Sequence, residues 1–197
     1  GEQGGRAVAE VLFGEVNPGG RLPVTFYRST DDLPGFGDYS MSNRTYRYFN
    51  GQPLYAFGHG LSYTQFRYGG AKLGASAVKA DGAFELSLNV KNTGDRAGDE
   101  VVQVYFRHVK SAVPQPRQAL CSFTRAHLER EEAADLALTI PAERFRYWDT
   151  VQKKYVVEAG DYELLIGAAS DDIRLRVPLK IVAGDLRASR QAPRSAP

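Results

Sequence analysis

The sequence predicts a mainly β protein, an antiparallel β-sandwich over residues 70–182 preceded by a short terminal piece of α/β structure. Three observations carry this reading. Strand-like segments with period-two alternation recur from Phe84 onward, each bounded by turn residues. The region before Gly69-Gly70 holds one helical pattern and one short extended run. After both, from Thr30 to Tyr68, comes a long stretch without regular periodicity.

In chain order, Val8, Val11 and Leu12 recur at i, i+3 and i+4 with Ala7 and Phe13 beside them, which predicts an amphipathic helix from about Glu2 to Phe13. Gly14 stands where a helix stops, and Asn17-Pro18-Gly19-Gly20 is a strong turn. Leu22-Pro23-Val24-Thr25-Phe26 then reads as a short strand. These elements form an incomplete unit over 1–29. Residues 30–69 read as a linker rich in Gly and Tyr, with Tyr39, Tyr46, Tyr48, Tyr55 and Tyr63 spread through it. A long irregular segment of this kind is commonly functional or lies against another surface.

From Gly70 the alternation begins. Phe84 to Val90 is the first clear strand, closed by Asn92-Thr93-Gly94-Asp95, where Gly94 is expected to supply a positive φ. Glu100 to Val109 follows as a longer strand, then Ala134 to Ile140 closed by Pro141. Tyr155 to Glu158, Tyr162 to Ala168 and Ile173 to Val182 complete the series. Alternation places Leu86, Leu88, Val102, Val104, Leu136, Leu138, Leu164 and Ile166 in the core. The tail, 183–197, rich in Ala, Ser, Pro and Arg, reads as disordered.

Composition excludes several function classes. Of 197 residues 43% are hydrophobic, which is enough for a packed core, and no run approaches the length of a membrane span. The opening residues lack the charged start and apolar middle of a signal peptide. The formal charge of +2 resides in the tail, where Arg187, Arg190 and Arg194 face only Asp185, so the body is neutral and nucleic acid is not an expected partner. A single cysteine, Cys121, forbids an internal disulfide, and its strand-like context predicts a buried thiol. His59, His108 and His127 show no ligand spacing, and no cofactor or metal site is expected.

Three blocks in order resemble glycoside hydrolase family 3. The run from Asn17 to Phe26 (NPGGRLPVTF), with Leu33-Pro34 after it, is similar to the close of that family's second, α/β-sandwich domain. Tyr46-Arg47-Tyr48-Phe49, Pro53-Leu54-Tyr55 and Phe57 to Thr64 (FGHGLSYT) resemble its linker. Val90 to Gly94, Ala97 to Tyr105 (AGDEVVQVY) and Glu158 to Glu163 resemble its fibronectin III-like domain, an immunoglobulin-like sandwich. Two positions depart from the family pattern. Leu120-Cys121-Ser122-Phe123 stands where a glycine-containing corner is usual, and Arg130-Glu131-Glu132 lacks a glycine often found there.

The resemblance implies a parent enzyme that is a retaining exo-glycosidase acting on β-glucosides or β-xylosides, periplasmic or secreted, using two carboxylates about 5–5.5 Å apart. Both would lie upstream of these blocks, so no catalytic residue is named in this chain. Glu2, Glu10, Glu15, Asp31, Asp32 and Asp38 match no catalytic motif and read as helix-face or turn carboxylates. Asp99-Glu100 and Asp171-Asp172 lack a cation-loop spacing. Three readings of function stay open on the fold alone. The chain is an accessory region that stabilises catalytic domains, its expected partners, or a module gripping β-linked oligosaccharide or polysaccharide with aromatics such as Tyr147 and Trp148, or a cell-surface interaction domain. An apolar stripe in 1–68 left uncovered would promote self-association.

Overall fold

A computed structural model of the chain describes residues 1–184. The expected disorder of the tail therefore lies, apart from Ala183 and Gly184, outside the described residues. Helix α1 spans Gly4–Leu12, inside the predicted range, and none of its residues is buried. A 3₁₀ turn at Thr30–Asp32 and the short α2, Thr45–Tyr48, break the Tyr-rich stretch. The strands are β1 (Phe66–Leu73), β2 (Ala77–Lys79), β3 (Ala83–Asn92), β4 (Gly98–His108) and β5 (Ala119–Leu128). They continue with β6 (Ala133–Pro141), β7 (Tyr147–Asp149), β8 (Lys154–Val156), β9 (Gly160–Gly167) and β10 (Ile173–Val182).

Two sheets face each other, ordered β1-β3-β6 and β2-β10-β9-β4-β5, and β7-β8 forms a separate hairpin. All but Leu136 of the expected core residues lie in one buried cluster, and Leu136 packs against it half-buried. The register explains the success: Leu86 sits opposite Leu138 and Leu88 opposite Leu136 on one sheet, and Val104 opposite Ile166 on the other. Each such pair projects to one face because side chains alternate along a strand. Burying each of these aliphatic side chains contributes about 1.5–3 kcal/mol.

Several expectations need correction. The sandwich is not wholly antiparallel, since β2 pairs parallel with β10 through Ala77 to Lys79. Leu22 to Phe26 is not a strand. Only Phe26 makes a ladder bridge, to Tyr55, while Leu22 exchanges backbone bonds with Gly58 and His59. Pro23, with no N–H to give, interrupts the run between those points. β1 runs through Gly69-Gly70, which the sequence pattern places at the start of the sandwich, with a register shift between Gly69 and Lys72. The expected corner at Leu120 to Phe123 lies inside β5. There Ser122 faces Val104 and Leu120 faces Tyr105, so Cys121 is the extra residue of a bulge.

Gly94 is absent from the positive-φ glycines, so its role is different from the one expected. A Cβ there would fall 2.2 Å from Thr64 Oγ1, and the position needs a glycine for close approach. Glu131, in contrast, does occupy the left-handed region at φ 63°, where the resemblance leads one to expect glycine.

Candidate functional site

The N-terminal segment is bound to the sandwich along a seam built from the polar residues of the three motif blocks. At its centre Glu100 of β4 is 2% exposed. Its Oε2 accepts a hydrogen bond from Arg21 Nη2 at 2.6 Å, and its Oε1 accepts one from the Tyr68 hydroxyl at 2.6 Å. Arg174 Nη1 lies 3.6 Å from Oε1, and its guanidinium stacks 4.6 Å from the Tyr68 ring centroid. A buried carboxylate is tolerated only when paired and hydrogen-bonded, and this one has three partners. Burial and the adjacent Glu100 charge push the Tyr68 hydroxyl far above its usual pKa, so it stays a donor.

Around this lock further hydrogen bonds tie the seam, although Arg21 Nε is itself buried without a partner. Asn17 donates from Nδ2 to the Ala97 carbonyl, and its Oδ1 accepts from Ser62 Oγ and the Tyr63 N–H. Gln103 of β4 donates to the carbonyls of Gly58 and Ala168, and the Tyr105 hydroxyl donates to its Oε1. Gly58 has φ 83°, and a Cβ there would lie 2.0 Å from Gln103 Oε1, so the Phe57-Gly58-His59-Gly60 turn must carry a glycine at that point. Tyr46 stacks on Phe57 at 4.3 Å and accepts the Leu120 N–H. Arg117 donates to the Phe49 carbonyl, and Arg125 to that of Gly19. This arrangement can hold two pieces of chain in one orientation.

The sequence-predicted residues fall apart from one another. Glu10 pairs with Arg6 one helical turn away, Asp31 and Asp32 cap the 3₁₀ turn with Ser29, and Asp38 accepts the Ser40 N–H. That backbone bond holds the Asp38 carboxyl below its usual pKa. Glu2 and Glu15 are exposed. Asp99 binds His127 at 2.7 Å and Arg125 at 3.6 Å, whereas Asp172 pairs with Arg174. Among the described residues no group of three or more His, Cys, Asp or Glu is arranged to hold a metal ion. Cys121 is buried, as its context predicted, and burial pushes its thiol up to about 12. Trp148 is about half exposed on the β7-β8 hairpin, edge-on to Tyr155 at 5.2 Å, while Tyr147 is half-buried. Arg21, Glu100 and Gln103 were not singled out by sequence reasoning as partners. The available signal was a glutamate and a glutamine set among the valines of an otherwise apolar strand.

Comparison with known proteins agrees with this geometry. Residues 1–63 match the glycosyl hydrolase family 3 C-terminal domain, and residues 100–170 match a fibronectin type III-like domain. A xylan 1,4-beta-xylosidase of Xylanibacter ruminicola is 41% identical over 177 residues, which is 89% of this chain and 20% of that protein. The thermostable beta-glucosidase B of Acetivibrio thermocellus is 35% identical over 90% of this chain and 25% of its own. Among solved structures, the beta-D-glucoside glucohydrolase of Trichoderma reesei superposes with a TM-score of 0.80 at 30% identity, covering 91% of this chain and 29% of that one. The chain thus spans about a fifth to a quarter of the length of these curated relatives. With both domain matches in order and relatives aligned over about nine-tenths of its length, the chain belongs to glycoside hydrolase family 3, as the C-terminal domain sequence followed by the fibronectin type III-like domain.

Proposed function

We propose that this chain acts as the non-catalytic C-terminal portion of a family 3 glycosidase and stabilises its catalytic domains. The reaction of the whole enzyme is hydrolysis of O-glycosyl bonds at the non-reducing end of β-glucosides or β-xylosides, the reaction the family resemblance implies, and relatives named as a xylosidase and a glucosidase support it. The observation that carries this reading is the Arg21–Glu100 lock, which ties the segment matching the family 3 domain to the sandwich through a buried pair. The surface for the catalytic domains is the uncovered stripe of α1. Val8, Leu12 and Phe13 are 59%, 73% and 83% exposed, and Phe36 nearby in sequence is 99% exposed. Apolar residues left in water at this density mark an interaction surface, and without its partner the same stripe favours self-association.

Two measurements test the proposal. The chain alone is assayed on aryl β-glucosides and β-xylosides, with no turnover expected; turnover that co-purifies and vanishes when one of its own acids is mutated overturns the non-catalytic role. Next, the chain replaces the matching region of the Xylanibacter ruminicola enzyme. R21M in that chimera shortens the thermal inactivation half-life and leaves kcat/KM unchanged; an unchanged half-life overturns the stabilising role.

A second reading, a polysaccharide-binding or cell-surface module, draws on Trp148 and Tyr155, which are 52% and 61% exposed on one hairpin. Arg146 lies over the Tyr155 ring at 4.7 Å, which leaves the Trp148 face as the stacking surface. Affinity electrophoresis in soluble xylan or glucan tests it: retardation lost in W148A supports this reading, and unretarded migration removes it.

A further inference from the structure

Five asparagines occur in the chain, and four of them are held through their side chains. Asn17 and Asn92 bond across the seam, Asn89 Nδ2 donates to Asp135, and Asn43 Oδ1 accepts the Asn50 N–H. Asn50 is the exception. It is exposed in the irregular run after α2, and among the described residues its side-chain amide has no hydrogen-bond partner.

Gly51 follows it, also exposed, and this is the one Asn-Gly pair in the sequence. Glycine has no Cβ to hinder the approach of its own nitrogen to the preceding side chain. Among the described residues the Gly51 N–H has no acceptor, and residues 51–53 form no backbone bond. The next anchor is the Leu54 N–H, which donates to the Phe26 carbonyl at 2.8 Å. Upstream the chain is fixed. The Asn50 N–H bonds Asn43 Oδ1 at 3.0 Å, and the Phe49 carbonyl accepts from Arg117 Nη1 at 2.6 Å. The chain can therefore turn just after Asn50 while everything before it stays in place. Position 51 must nonetheless remain a glycine, because a Cβ there would fall 2.5 Å from Cζ of the buried Phe49 ring.

Asp81-Gly82, the Asp-Gly pair of the chain, is built differently. Its Gly82 N–H donates to the Lys79 carbonyl at 2.9 Å in the turn between β2 and β3, so that nitrogen is occupied.

We propose that Asn50 is a site of spontaneous deamidation, through a succinimide closed by the Gly51 nitrogen. That nitrogen, having lost its proton, bonds to Asn50 Cγ; the Cγ–Nδ2 bond breaks and ammonia leaves with a proton in its place. Water then opens the ring. Attack at Cγ gives aspartate, and attack at the main-chain carbonyl carbon gives isoaspartate, in which Cβ and Cγ become part of the backbone. No oxidant or reductant is needed, and either product carries one new carboxylate, ionised at neutral pH. Isoaspartate lengthens the main chain beside a glycine already packed against Phe49. It thereby loosens the two Arg117 bonds, to the carbonyls of Arg47 and Phe49, that tie this stretch to the sandwich. The reaction is independent of both functional readings above.

The test is to age the whole chain at neutral and mildly alkaline pH, in buffer and in urea, and to digest it for mass spectrometry. Electron-transfer fragmentation distinguishes aspartate from isoaspartate. The Asn50 peptide exchanges NH2 for OH, faster at the higher pH because the attacking nitrogen must lose a proton. Its rate in buffer stays within about tenfold of its rate in urea, since an open loop gains little from unfolding. Isoaspartate at Asp81 accumulates in urea and not in buffer. N50Q abolishes the acidic species that ageing produces on ion exchange. An Asn50 peptide that gains no acid, a rate in buffer more than about tenfold below that in urea, or an acidic species that persists in N50Q overturns the assignment. The purified isoaspartate form exchanges the Arg117 amide faster than N50D, which carries the same charge on an unaltered backbone; equal exchange overturns the loosening.

Discussion

Removing the guanidinium at the centre of the seam, by R21M, leaves Glu100 as a buried charge that has lost its shortest charged partner. Methionine keeps much of the arginine stem, so packing changes little and the loss is electrostatic. Breaking a buried ion pair on one side costs about 3–5 kcal/mol. Here the Tyr68 hydroxyl still donates at 2.6 Å and Arg174 remains 3.6 Å from the other oxygen, which places the expected cost at the lower end, about 3 kcal/mol. For a chain of this size that corresponds to a fall in Tm of roughly 6–12 °C. The paired change R21M with E100Q removes the buried charge itself and recovers part of the loss. The assay is thermal and urea unfolding of the four members of the cycle, read by circular dichroism and tyrosine fluorescence. Hydrogen exchange on the single variant locates the damage: the amides of Leu22, Phe26 and Gly58 lose protection before those of β3 and β9. An R21M midpoint within about 1 °C of the parent, on the same scale, refutes the argument that this pair holds the seam. Additive single effects, with no coupling between positions 21 and 100, refute it equally.

Three further outcomes follow from particular residues. Glu131 holds a left-handed backbone at φ 63°, and its partner Lys91 is 3.9 Å away on the surface, so E131G stabilises the chain by about 1 kcal/mol, seen as a higher urea midpoint; a lower midpoint contradicts the strain. The Cys121 thiol, buried and raised to about 12, reacts with a thiol-specific disulfide reagent only at the rate of unfolding; rapid labelling of the native chain shows that the β5 bulge opens. The hydrogen bond that the His127 imidazole donates to the Asp99 carboxylate raises the pKa of His127. A raised folded-state pKa stabilises below the unfolded value, about 6.5, and that contribution is lost as pH rises through the folded pKa. An NMR titration therefore gives a His127 midpoint above about 6.5 that falls in D99N; an unmoved midpoint dismisses the pair.

The sequence by itself determined the sandwich face by face wherever large apolar and polar residues alternate. In β3, Phe84, Leu86, Leu88 and Val90 are all buried, and every intervening side chain from Glu85 to Asn89 is exposed or half-buried. Period two admits only one orientation once that face is buried. The same rule fails for β5, because its inward positions include the small Ala119 and Cys121 while Phe123 is 65% exposed, and the bulge shifts the phase. It fails for β4 for another reason. From Val102 to Phe106 every residue is buried, so the strand is covered on both faces, one by the core and the other by Gly58, Tyr46 and Phe57.

Only the tertiary structure decided that second cover. The motif blocks identified the family, but polar residues far apart in sequence carry no local signal of which partner each will meet. Arg21 and Glu100 are separated by 79 positions, and their attraction is strong only after burial has removed competing water. Helix α1 shows the converse: its period and stripe were legible, because they are local, while its exposure depends on what packs against it. Hydrophobic periodicity is written into neighbouring residues, and pairing across the fold is set by which surfaces leave water together.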